Sequence, residues 1–453
     1  MEQQLQDSSN FNPLACGMLL VLGCLTWSLP RRLAVCPLLV MICLMPLGQQ
    51  LVLSGLHLFF FRILLFVGVL RVILKGEARQ LLLTPTDKVF IWWVIVGIVF
   101  GTLSKSSMDL RSSMDLFRNR LGEAYNVSFC YLFIRCVIVD FEDVVISVQT
   151  LAWLALPVAA FMLVEKTTAH NLFSIFGGVP EMTVVREGHL RCQGAFRHPI
   201  LAGTFGAALF PLLVGLWSYR RKGRLAVGAA MIASLIIVVT ASTSGALMAL
   251  MAGMGGLALW KWRAHMRLFR WCALATIIAL TLVMNAPVWY LFDRLSSITG
   301  GTGWHRAYLI DQTIQHFDEW WLFGTTYTAH WGPGGEVTAA DPNMMDITSQ
   351  YVGQCVSGGL LKLVLFVVLI VASFKSIGRR LRLEGGGSTR VLVWAVGVSL
   401  FVHCVSFMSI PYFDQSILLY CWLLAVICPI GNIVPEKNTC ECEFQNGDLV
   451  QGA

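Results

Sequence analysis

Arg186-Glu-Gly-His-Leu-Arg191-Cys-Gln-Gly-Ala-Phe-Arg197-His198-Pro199-Ile-Leu-Ala-Gly203 is a charged segment that passes directly into an apolar one. Pro199 suits the first position of a helix, where its missing N–H is not required, and His198 stands where a capping residue belongs. Arg186, Arg191 and Arg197, with His189 and His198, therefore collect at the mouth of a hydrophobic helix. Such groups beside a membrane segment favour an anion or a proton transfer.

The surroundings of this stretch set the fold class. Of 453 residues 56% are hydrophobic and only 13% charged, which excludes an ordinary soluble enzyme of two or three domains. Uncharged runs long enough to cross a bilayer as helix recur near 14–29, 33–53, 55–73, 89–104, 121–139, 144–164, 199–218, 225–241, 243–260, 268–286, 350–374, 391–408 and 411–430. The expectation is an all-α, polytopic membrane helical bundle of about 12 or 13 transmembrane helices. Met1-Glu-Gln-Gln-Leu-Gln-Asp7 is not the basic start of a signal peptide, so the first apolar segment is expected to remain as a helix.

Basic clusters orient the bundle. Arg220, Arg221, Lys222 and Arg224 form one, Lys261, Arg263, Arg267 and Arg270 a second, and Lys375, Arg379, Arg380, Arg382 and Arg390 a third. The positive-inside rule places all three in the cytoplasm, and the net charge of +7 then reflects anchoring loops rather than nucleic-acid binding. Helix counting puts the turn at Ser242 and the loops 166–198 and 287–347 on the opposite side. The long loop agrees, with Asp293, Asp311, Asp318, Glu319, Glu336, Asp341 and Asp346 against Arg294 and Arg306. Loop 166–198 departs from this pattern, since Lys166, Arg186, Arg191 and Arg197 lie beside His170, His189 and His198. The chain divides into N-terminal helices (1–165), a first outer loop (166–198), central helices (199–286), a large outer loop (287–347), C-terminal helices (348–430) and a cytoplasmic tail (431–453).

Most of the 14 cysteines lie in apolar runs, where a thiol acts as a small hydrophobe, and only Cys192 and Cys355 are expected near the outer face. Cys440-Glu-Cys442 has no second pair to complete a metal site, and no metal is expected. Ser106-Ser-Met-Asp-Leu110 is repeated at Ser112–Leu116, too short a duplication for a solenoid. No inverted duplication of the transporter kind is evident. In the large loop, Ile310, Ile314, Phe317 and Trp321 recur at helical spacing, which predicts an amphipathic helix from Trp304 to Trp321 lying on the membrane with Arg306 at its start. Gly332-Pro-Gly-Gly335 follows as the base of a lid.

Arg191-Cys-Gln-Gly194-Ala-Phe196-Arg-His198-Pro199 resembles the Arg-x-x-Gly-x-Phe-x-x-Pro-Asn signature of the O-antigen ligase and polymerase superfamily. The order of later parts is similar too: the turn Thr240-Ala-Ser-Thr-Ser-Gly245, a large loop opening with a Trp/Arg helix, and Gly358-Gly-Leu-Leu361 opening the next span. The likeness covers roughly residues 165–375. Ile200 stands where the family has Asn, Gly245 where it usually has Arg, and Asp346-Ile-Thr-Ser-Gln350 replaces its late His-Asn pair. The resemblance implies a C-type glycosyltransferase fold with a periplasmic cap, in the bacterial inner membrane. Such an enzyme transfers glycan from an undecaprenyl-diphosphate carrier to an acceptor hydroxyl, without nucleotide sugar, cofactor or metal.

The residues suit that chemistry. Arg186, Arg191, Arg306 and Arg197 are candidates to bind the diphosphate through permanently charged hydrogen bonds, and Asp346, His198 and His305 are candidate catalytic groups, with His330 a further histidine. Each has a plainer reading: headgroup anchors for the arginines, helix caps for His198 and Asp346. Glu165 and Asn171 open the loop, while Arg62 and Arg135 lie within apolar runs, where carboxylates could pair with them.

Polymerisation of lipid-linked repeat units into exopolysaccharide or O-antigen is the leading expectation, with lipid-linked oligosaccharide and membrane lipids as partners, and other polysaccharide-assembly proteins beside them. A ligase passing finished glycan to lipid A core or to protein is the near alternative. A transporter or flippase of the same lipid-linked sugar, or a scaffold in a synthase complex, is the alternative from another class.

Overall fold

The computed structural model describes residues 12–53, 56–104, 110–186, 188–291, 293–294, 303–332, 344–383 and 387–432. Residues 1–7, most of the first Ser-Ser-Met-Asp-Leu copy, the stretch after Gly332 expected as a lid, and Cys440 and Cys442 lie outside the described residues.

Helices α1 (Pro13–Ser28) and α2 (Cys36–Leu44) lead to an antiparallel hairpin of β1 (Gln50–Leu53) and β2 (Leu56–Phe59), and then to α3 (Phe60–Leu74). The run 33–53, expected as one span, is thus divided. Met45 turns extended at φ −120°, ψ 125° ahead of Pro46, the conformation a following proline favours. There follow α4 (Pro85–Thr102), α5 (Leu110–Val137) and α6 (Phe141–Thr168), then a hairpin of β3 (Val184–Arg186) and β4 (His189–Arg191). The order ends with α7 (Pro199–Tyr219), α8 (Arg224–Ala241), α9 (Ser244–Ala258), α10 (Met266–Val283), α11 (Gly303–Gln315), α12 (Gln350–Leu383), α13 (Ser388–Ser406) and α14 (Gln415–Asn432).

Seven stretches among the described residues are long and apolar enough to cross a membrane: α4, α6, α7, α8, the continuous Ser244–Val283, α12 and α13. That is fewer than the 12 or 13 uncharged runs suggest. The α1 and α14 helices are shorter, α3 has 15 residues, and the charges of α5 fill its first half.

The most buried span is α7, and glycines let its neighbours close on it. A Cβ at Gly203 would lie 2.5 Å from Ala246 Cβ of α9, at Gly206 2.7 Å from the Ser234 carbonyl of α8, and at Gly215 2.6 Å from Ala395 Cβ of α13. Small residues at such crossings bring helix backbones together where lipid offers no hydrophobic drive.

Polar contacts mark two ends. At the basic end Arg31 bonds Asp143 at 2.7 Å, Arg220 meets Glu142 at 2.9 Å, and Arg71 bridges Glu77 (2.7 Å) and the Leu29 carbonyl (2.8 Å). Arg135 and Asp87 form a buried pair there at 3.0 Å, with Tyr131 donating to the same carboxylate at 2.6 Å. The alternation of α8, α9, α12 and α13 brings the basic clusters at 261–270 and 375–390 to this end as well. At the other, loop end, Gln49 donates to the Phe176 carbonyl (2.9 Å), Lys166 to Ser242 Oγ (2.9 Å), and the Gln350 amide to the Phe407 carbonyl (2.7 Å).

Two elements at the loop end differ from their sequence pattern. The helix expected from Trp304 to Trp321 stops at Gln315, because Trp320 Nε1 takes the Thr313 carbonyl at 2.7 Å and a single turn, Phe317–Trp320, follows. Ala307, Leu309 and Thr313 of α11 are buried, as is Trp320 beyond its end, while Ile314, Phe317 and Trp321 are exposed. The other is α12, which is broken at Gly358–Gly359 rather than starting there. Gly359 has φ +73°, and the freed backbone groups bond the covering segment: Leu360 N to the Trp321 carbonyl at 2.8 Å and Thr325 N to the Val356 carbonyl at 2.9 Å.

Candidate functional site

The loop from Arg191 to Pro199 is fixed from behind by a carboxylate. Glu165, in the last turn of α6, is fully buried and accepts the Gln193 amide at 3.0 Å, the Gly194 amide at 2.9 Å and the Thr183 hydroxyl at 3.2 Å. Asn171 Nδ2 donates to the Gly194 carbonyl at 2.9 Å. Gly194 itself is left-handed at φ +56°, and a Cβ there would press Met162 at 3.2 Å. Farther along, Cys192 N reaches the Thr240 carbonyl (3.2 Å), Gln415 Nε2 the Ala195 carbonyl (2.7 Å), and Phe196 stacks on Phe205 with centroids 5.4 Å apart. Glu165, Asn171 and Gln415 are thus positioning residues. The sequence offers only polar side chains at apolar-segment ends as a sign of them. Cys192 and Cys355, expected near the outer face, are both buried.

On this platform β4 ends at the half-buried Arg191, and Arg186 stands exposed across the hairpin. His198 caps α7, its Nδ1 accepting the Ile200 amide at 3.1 Å. Burial, reinforced by the Arg191 and Arg186 charges, lowers its pKa to about 4, so the ring is neutral near pH 7. A neutral imidazole whose Nδ1 is an acceptor carries its proton on Nε2.

Arg306, in the first turn of α11, enters the same field. Burial and then the Arg186 charge lower its pKa. Its Nη2 lies 3.8 Å from where a Cβ at Gly245 would be, at the start of α9. Arg306 also borders a cavity of about 190 Å³ with Ile310, Thr313, Ser349, Tyr351 and Cys355. The Arg186 charge thus acts on both His198 and Arg306, and that of Arg191 on His198, from three segments of the chain. Arg197 is exposed and differently engaged, meeting Asp414 at 3.4 Å.

His305 Nε2 lies 3.1 Å from the Asp346 carbonyl oxygen. A carbonyl only accepts, so Nε2 carries the hydrogen, and in the neutral ring Nδ1 presents the lone pair. Asp346 is exposed and precedes Gln350, the first residue of α12, so it does not cap that helix.

Of metal-ligating clusters, the described residues hold His316, Glu319 and His330, whose ligand atoms lie within 4.8 Å of one another. Glu319 Oε1 bonds both imidazoles, at 2.8 and 2.9 Å, and Oε2 accepts Trp331 Nε1 at 3.1 Å. Burial raises the Glu319 pKa, but the bonds from His330, Trp331 and His316 outweigh it and the carboxyl sits below its usual value. As it stands, the cluster is a hydrogen-bonded brace within the cover.

Comparison with models of known families gives no match, and no curated protein is significantly similar to the chain.

Proposed function

We propose that the chain is an integral-membrane glycosyltransferase that joins undecaprenyl-diphosphate-linked oligosaccharide units into a polymer on the periplasmic face. The observation that carries this reading is Arg186 and Arg191 beside a neutral His198, with Arg306 in the field of the same Arg186, at one end of an apolar bundle. Guanidinium groups bind phosphate bidentately and keep their charge, which suits a lipid diphosphate at headgroup depth.

In the reaction the acceptor hydroxyl oxygen attacks the anomeric carbon as the bond from that carbon to the diphosphate oxygen breaks. The carrier diphosphate departs with the bonding electrons, and the arginines stabilise its charge. His198, donating from Nε2, adds a neutral hydrogen bond to the same oxygens. The proton of the acceptor passes to Nδ1 of a neutral His305, whose other nitrogen is held by the Asp346 carbonyl. Asp346 acts through its backbone in this arrangement.

Expression of Arg191→Ala and Arg306→Ala in the native host tests this. Each variant is expected to lower polymer yield about 100-fold, the scale of losing one charge-stabilising donor. Unchanged yield and chain length in both would remove the reading. The residue to which the glycan is joined separates polymerisation from ligation: a lipid-linked repeat unit in the first, lipid A core or protein in the second.

A further inference from the structure

A second cavity, of about 360 Å³, lies between α4, α5, the first part of α12 and residues 411–417. Two cations, Lys362 and Arg120, line it together with two carboxylates, Glu123 and Asp414, the latter paired with Arg197 at 3.4 Å. Lys362 is only 7% exposed, and its Nζ donates to Ser357 Oγ at 2.8 Å. Arg120 pairs with Glu123 at 3.1 Å through Nη1, and among the described residues its buried Nε has no hydrogen-bond partner. Two glycines of α4 admit them: a Cβ at Gly97 would lie 3.4 Å from Lys362 Nζ, and one at Gly101 2.9 Å from Arg120 Nε. With Glu123 paired to Arg120 and Asp414 to Arg197, the Lys362 ammonium, hydrogen-bonded to a hydroxyl, is the charge left over, and an anion entering the cavity would compensate it.

The first turns of α12 form the wall between this cavity and that of Arg306. Ser349, Val352 and Cys355 face Arg306, while Gly353, Gln354 and Ser357 face Lys362. Val94, Ile98 and Val127 supply apolar lining suited to the first isoprene units of a lipid tail.

We infer that the Lys362–Arg120 cavity receives the diphosphate of a second polyprenyl-linked saccharide, so that the two carriers lie on opposite faces of one helix segment. The inference rests on the glycosyl-transfer reading and sharpens it. Polymerisation needs two carrier-linked partners at once, the growing chain and a repeat unit, whereas ligation to core or protein needs one. Two separate chambers, one bordered by Arg306 and one by Lys362 and Arg120, match the reaction with two carriers.

The test is calorimetric titration of the purified full-length protein in detergent with geranylgeranyl diphosphate, with geranylgeraniol as the control for tail insertion. Two equivalents are expected to bind. Lys362→Met, and separately Arg120→Gln in case the first variant fails to fold, should each weaken one site at least tenfold and spare the other, and Arg306→Ala should do the reverse. One equivalent in the parent protein, lost with Arg306→Ala and indifferent to Lys362→Met and Arg120→Gln, overturns the second site and leaves transfer standing, as ligation. Two equivalents that neither Lys362→Met nor Arg120→Gln affects also overturn it. Absence of any binding removes both the second site and the transfer reading.

Discussion

The Glu165 carboxylate, buried in the last turn of α6, accepts the backbone amide of Gly194 at 2.9 Å and so holds the loop that presents Arg191. Alanine at 165 would strand the Gly194 and Gln193 amides without an acceptor. Glu165→Ala is expected to lower stability by about 3 kcal/mol and to abolish transfer, with Glu165→Gln intermediate in both. Thermal unfolding of the purified variants beside polymer yield checks it; an alanine variant as stable as the parent would contradict this role.

Gly194→Ala should fail for a different reason. Its φ of +56° disfavours any Cβ, and the added methyl would also press Met162. The expected loss is about 1–3 kcal/mol. A second change, Met162→Ala, should recover only the steric part, as seen by comparing melting temperatures of the single and double variants.

The pair Arg135–Asp87 is a stability element remote from the site. Removing one partner leaves a buried charge, so Arg135→Met or Asp87→Asn should each cost about 3–5 kcal/mol, while the double variant should be less damaged than the sum of the two. Additive losses in denaturant titrations would show that the two groups do not act as a pair.

His198 predicts a pH dependence. Its folded pKa, about 4, lies below the ordinary 6.5. As pH falls through 6.5 the unfolded chain takes up a proton that the folded chain refuses, so stability declines until about pH 4 and then levels. The contribution is on the order of 2 kcal/mol after allowance for the exposed part of the ring. His198→Asn keeps a capping oxygen for the α7 N-terminus and should remove this slope. Unfolding free energies at pH 7 and pH 4.5 for both proteins provide the measurement; equal slopes would count against the assignment.

Transfer as proposed uses no metal. Chelator-treated protein should therefore retain full activity, and His316→Ala should affect stability more than rate. Loss of turnover on chelation with recovery on adding zinc would instead give the His316–Glu319–His330 cluster a part in the chemistry.

Local chemistry made the start of α7 legible in the sequence: Pro199 at the first turn and His198 as its cap are both where the residue types place them. The placement of the three basic clusters at one end also follows from counting apolar runs. Other features depend on partners far along the chain. The end of α11 is set by the Trp320 indole, seven residues beyond the Thr313 carbonyl it bonds, and the role of Glu165 by amides 28 and 29 residues away. Hydrophobic spacing records neither. Nor does it mark Lys362, which in sequence is one charge in a long apolar helix and in space faces Arg120 and Glu123 across a cavity.

The break in α12 carries one more consequence. Backbone from the covering segment completes the hydrogen bonding of the broken helix, at Trp321 and Thr325, and Gly324 and Gly359 allow contact so close that neither could bear a side chain. Cover and bundle are therefore stitched at the level of the main chain, and this part of the roof cannot hinge upward while the helix beneath keeps its shape. Substrates as long as a lipid-linked glycan would have to enter sideways, through gaps between helices, with the roof as a fixed ceiling under which they slide.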